Sequence, residues 1–113
     1  AAGTFVEPSL ESVTAAAASA KLAKDTDFRV SITNAPGKDS YPISSFTWLL
    51  VQKDGKDAAK AKLIKDFLGW MITDEAQAMA KDLHYAPLPT EVRTLVAERL
   101  KSLKGAGKAL ASN

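Results

Sequence analysis

One short segment, Phe46-Thr47-Trp48-Leu49-Leu50-Val51, limits what this chain can fold into more than any other. It is nearly continuous in apolar residues and rich in aromatic and branched side chains, with Ser44-Ser45 before it and Lys53-Asp54-Gly55 after it. The pattern predicts a main strand over 46–52 that is buried on both faces. Such a strand needs neighbours, because unpaired backbone groups in a core cost free energy. No other segment resembles it, so this strand and the helices around it do not make a complete sheet.

The rest of the sequence reads as helices and loops. Pro8-Ser9-Leu10-Glu11 and the alanine-rich stretch after it predict a helix over about 9–22, with Ser9 as cap and Leu10, Val13, Ala17 and Ala20 along one side. Residues 21–42 have no clean period and contain Asn34, Pro36, Gly37 and Pro42, which marks loop, Phe28 to Ile32 being the one short strand-like stretch. Leu63, Ile64, Phe67, Leu68 and Met71 recur at helical spacing, predicting an amphipathic helix over about 57–73. Thr73-Asp74-Glu75 opens another, to about 83. Val92, Leu95, Val96, Leu100 and Leu103 form the stripe of a last helix over about 90–104, which Gly105 and Gly107 end.

At 113 residues the chain is one modest domain or a piece of a larger one. Its fifteen basic and thirteen acidic side chains are interleaved, so nucleic-acid binding is not signalled. No apolar run approaches the roughly 20 residues needed to span a bilayer, and no signal peptide opens the chain.

The usual catalytic constellations are missing. Without cysteine there is no thiolate ligand or nucleophile, and His84 has only Asp82 as a nearby acid, so no metal site is expected. Lys104-Gly105-Ala106-Gly107-Lys108 faintly resembles a phosphate loop, but Ser102 stands where its first glycine belongs and Ala109 where a hydroxyl is needed. It reads as a helix stop and flexible tail. Asp54, Asp57, Asp74, Glu75, Asp82, Glu91 and Glu98 are each explained by a turn, a helix N-terminus or a solvated face. Trp48 and Trp70 sit at core-like spacing and read as packing residues. The chain is therefore expected to be no enzyme, with no catalytic, ligand-binding or metal residue and no cofactor.

His84-Tyr85-Ala86-Pro87-Leu88-Pro89 separates the last two helices. Its prolines fix their own backbone angles and push Ala86 and Leu88 towards extended geometry, which makes the segment a rigid joint with Tyr85 and Leu88 turned inward. A PxP spacing fits polyproline recognition poorly.

Four stretches together resemble the C-terminal portion of the periplasmic phosphate-binding protein family of bacterial phosphate ABC importers. They are Phe5-Val6-Glu7-Pro8-Ser9 with its alanine-rich continuation, Tyr41-Pro42-Ile43 leading into 46–51, the helix from Ile64 to Trp70, and Tyr85-Ala86-Pro87-Leu88-Pro89 before a closing helix. The resemblance implies a helix-rich α/β part of a two-lobed receptor. Residues 1–39 would end the second lobe, 40–44 would cross between lobes, and 45–113 would complete the first, with the other strands of the sheet upstream. It implies a periplasmic or cell-surface location, a permease partner, and phosphate bound only when the N-terminal part is present. None of the family's phosphate-contact motifs matches a position here. The alternative is a stand-alone helical interaction module, and unsatisfied strand edges would favour a homodimer or strand-exchanged oligomer.

Overall fold

The structure, a computed structural model, describes residues 3–111. It is mixed α/β, with four helices and a small three-stranded sheet. Helix α1 spans Leu10–Ala18 and opens with a reciprocal cap: Ser9 Oγ accepts the Ser12 amide at 3.1 Å, and Ser12 Oγ accepts the Ser9 amide at 2.9 Å. It stops short of the expected end at 22, where the Ser19 hydroxyl donates to Ala16 O at 2.7 Å.

Strand β1 is Asp54–Gly55, followed by α2, Ala58–Met71, capped by Asp57 through the Lys60 amide at 3.1 Å. Helix α3, Asp74–Asp82, is capped by Thr73, and α4 spans Thr90–Lys101. Strands β2, Lys104–Gly105, and β3, Lys108–Ala109, form a hairpin that pairs in parallel with β1 through β2. Ala106 and Gly107 both have positive φ, as a two-residue hairpin turn requires. Instead of the expected flexible tail after Gly105, the described residues are held in place: Asp54 Oδ1 accepts the Gly107 amide at 3.0 Å, and Lys65 Nζ donates to Leu110 O at 2.8 Å.

The segment 46–52 departs from expectation. It carries no ladder, and the amides of Phe46 to Gln52 make no hydrogen bond among the described residues. Leu50 is 97% exposed, and Leu49 and Val51 are exposed beside it. Among the described residues no second strand is long enough to pair with this one, and the segment stays without a ladder. Phe28 to Ile32 is also irregular, with Phe28 at φ 62.

Helix α2 keeps its expected polarity only in part, with Ile64, Leu68 and Met71 half-buried. Lys65 is buried under the C-terminal hairpin while Leu63, Phe67 and Trp70 face outward in one stripe. The buried apolar set is small: Ala16, Ala17, Ile32, Ala35, Val92 and Leu103. The shape follows from this. The radius of gyration is 15.8 Å, against about 13 Å for a compact chain of this length. The surface is 8045 Å², against about 6,000 Å² for a compact protein of 12.0 kDa.

Candidate functional site

The joint between α3 and α4 is built by hydrogen bonds that the sequence only half announces. Helix α3 closes with the Tyr85 amide donating to Ala80 O at 2.9 Å and the His84 amide to Lys81 O at 3.0 Å, with His84 in the left-handed region at φ 60. That is the geometry a glycine usually provides after a helix. Beyond it, Gln77 Oε1 accepts the Leu88 amide at 2.6 Å and Gln77 Nε2 donates to Met71 O at 2.8 Å. Arg93 Nη1 donates to Asp74 Oδ1 at 2.6 Å and to Ile72 O at 3.2 Å, which ties α4 to the turn before α3. Pro89 is buried and Leu88 half-buried, but Tyr85 is 62% exposed, contrary to the inward anchor expected of it. The Leu88 amide and the Gln77 side chain of the joint are thus used inside the chain.

Side-chain hydrogen bonds fasten the N-terminal third to the C-terminal helices. Thr14 Oγ1 donates to Pro87 O at 3.1 Å, and Arg99 Nη2 donates to Asp25 O and Thr26 O at 2.8 and 2.6 Å. Trp48 also participates, its indole N–H donating to Phe28 O at 2.8 Å.

The acids hold structural positions. Asp57 caps α2, Asp74 pairs with Arg93, Asp66 pairs with Lys62 at 2.7 Å and Glu98 with Lys101. Asp82 and Glu75 are exposed on α3, as is Glu91 in the first turn of α4. The two carboxyls with displaced pKa values both move down. Glu11 is lowered by its own backbone amide and the Ser9 hydroxyl, and Asp27 by the Arg29 side chain. Lowered carboxyls stay ionised at neutral pH and are poor proton donors. His84 is exposed, and no cluster of three or more metal-ligating side chains occurs among the described residues. Two hollows among the described residues are open to solvent, one lined by Phe5, Glu7, Ser9, Ser12 and Lys38, another by Leu10, Thr14, Ala18, Lys81 and Pro87.

What the surface offers instead is apolar area. Trp48 and Trp70, expected in the core, are 46% and 43% exposed. Phe46 meets Trp48 edge-on at 6.4 Å between ring centres, and Phe67 stacks on Trp70 at 5.9 Å. The segment 46–51 and the outer stripe of α2 thus each expose several large apolar side chains, more than the scattered single residues ordinary on a soluble protein.

The chain is 44% identical over 89 residues to the phosphate-binding protein PstS of Xylella fastidiosa (strain 9a5c), a match spanning 79% of this chain and 24% of that protein. The chain is homologous to part of the PstS phosphate-binding proteins. With PstS of Haemophilus influenzae the identity is 33% over 101 residues, 89% of this chain and 30% of that protein. A putative serine/threonine-protein kinase/receptor of Acanthamoeba polyphaga mimivirus is 34% identical over 82 residues, 70% of this chain but 5% of that protein. The chain spans about a quarter of the length of the PstS relatives it matches. No family model and no solved structure matches it significantly.

Proposed function

We propose that this chain is the C-terminal portion of a periplasmic receptor that captures inorganic phosphate for uptake by an ABC transporter. Residues 1–39 end the second lobe, 40–44 cross between lobes, and 45–113 complete the first lobe. Its role is structural within a binding protein rather than catalytic. The segment 46–52 enters the first lobe's sheet as a strand, and the phosphate contacts lie in the other parts of the receptor.

The observation that carries this reading is the 33–44% identity to PstS over most of the chain. It is supported by the segment 46–51, whose side chains are apolar on both faces and whose amides are unpaired, as a sheet strand without its sheet would be.

A chimera tests it directly. When residues 1–113 replace the matched region of the Xylella fastidiosa protein, the hybrid is expected to bind inorganic phosphate in calorimetry, while residues 1–113 alone give no binding heat. A folded chimera without phosphate affinity overturns the receptor reading. Tight phosphate binding by the isolated chain overturns the location of the site.

A further inference from the structure

We infer that residues 1–113 form a preformed insert able to assemble without a covalent link onto the body of a PstS-type receptor that lacks this region. The inference rests on the receptor reading and adds a partner and a surface to it.

The chain's skeleton is set by its own contacts. The caps of α1, α2 and α3, the Gln77 bridge, the Arg93 and Arg99 ties and the Lys65 hold on the tail are all internal. None of them involves the outer stripe of α2, and the segment 46–51 adds to them the Trp48 indole N–H bonded to Phe28 O. The docking surface is thus presented by a scaffold that does not require it to be covered. The end of the segment is aimed as well: the Lys104 amide donates to Lys53 O at 2.8 Å and the Ala106 amide to Gly55 O at 2.8 Å, so the hairpin fixes where the strand leaves the scaffold.

The kind of occupant follows from the side chains. In an extended segment Phe46, Trp48 and Leu50 face one way and Thr47, Leu49 and Val51 the other. Both faces are apolar, and the amides are unpaired. A second copy of this chain pairing edge to edge would satisfy one edge and leave both faces wet. A folded body with an open sheet slot satisfies edges and faces together.

The size agrees. The surface exceeds that of a compact protein of this mass by about 2,000 Å². An obligate interface buries roughly 2,000–5,000 Å² over both partners. About three quarters of the Xylella fastidiosa protein lies outside the match, and that remainder is the partner we assign.

The test mixes residues 1–113 with the Xylella fastidiosa protein lacking its matched region, the two chains refolded together from denaturant. The covalent chimera described above serves as reference. The expected result is a 1:1 complex by light scattering that binds inorganic phosphate, with blue-shifted emission as Trp48 and Trp70 are covered. Leu50→Asp alters a residue that contacts little, so it is expected to keep the helical circular dichroism of the isolated chain and to weaken assembly at least tenfold. A chimera that binds phosphate while the two chains stay separate overturns this inference and leaves the receptor reading standing. A chimera that also fails overturns both. A homodimer of residues 1–113 that the receptor body cannot displace overturns the inference, as does assembly indifferent to Leu50→Asp.

Discussion

The side-chain oxygen of Gln77 accepts the backbone N–H of Leu88 at 2.6 Å, so a residue in the middle of α3 holds the joint that follows that helix. Its other amide atom donates to Met71 O at 2.8 Å, which places one side chain across three consecutive elements. Gln77→Ala leaves a part-buried donor and acceptor unpaired and is expected to cost about 2 kcal/mol in urea unfolding. Gln77→Glu keeps the acceptor for Leu88 and loses the donor, and is expected to fall between the two. Equal stability of all three would show that the bridge contributes nothing.

His84 occupies the left-handed position after α3 at φ 60 and is exposed. A residue with a Cβ costs roughly 1–2 kcal/mol there, whereas glycine does not. Part of that gain is offset by the larger entropy of glycine in the unfolded chain. His84→Gly is therefore expected to raise stability by about 0.5 kcal/mol, and His84→Val to lower it by more than that. Thermal melts of the two variants should move in opposite directions.

Two glycines should respond to alanine with opposite signs. At Gly105 a Cβ would lie 2.7 Å from Ala58 Cα and 2.8 Å from Leu110 Cδ2, and the first of these belongs to backbone that cannot swing away. Gly105→Ala is expected to cost about 1–3 kcal/mol and to loosen the hairpin from α2. At Gly69, inside α2, a Cβ meets nothing within 4 Å. Gly69→Ala is expected to gain about 0.5–1 kcal/mol from backbone entropy. Denaturant midpoints measured side by side decide both.

Local signals in the sequence carried the helices well and the long-range arrangement poorly. Ser9, Asp57 and Thr73 cap helices because a short side-chain oxygen can reach a free amide two or three residues on, which needs no knowledge of the fold. The outward stripe of Leu63, Phe67 and Trp70 was legible only as an apolar face, since periodicity says that a face is to be covered and not by what. The strand at 46–52 fails for the same reason. Its composition describes a covered environment, and the described residues offer no strand to cover it. The tail order was hidden because it depends on Lys65 and Asp54, which lie about fifty residues before the groups they hold. His84 was noticed for its imidazole, while its role in the structure is set by its backbone.

The carboxylate of Glu11, in the first turn of α1, is held below its usual pKa of 4.5 by its own backbone amide and by the Ser9 hydroxyl, with Lys81 adding a weaker attraction. Because the folded-state pKa is the lower one, the ionised group supports α1 at pH values above 4.5, and that support is lost as the pH falls through the depressed folded value. Glu11→Gln removes the charge at every pH and keeps the length of the side chain. The native chain is therefore expected to melt above the variant at pH 7, by a margin that shrinks as the pH falls below 4.5. Asp27, lowered by Arg29, is present in both proteins and cancels in the comparison. A melting difference that persists unchanged at pH 3 would mean that Glu11 acts on α1 through packing and not through its charge.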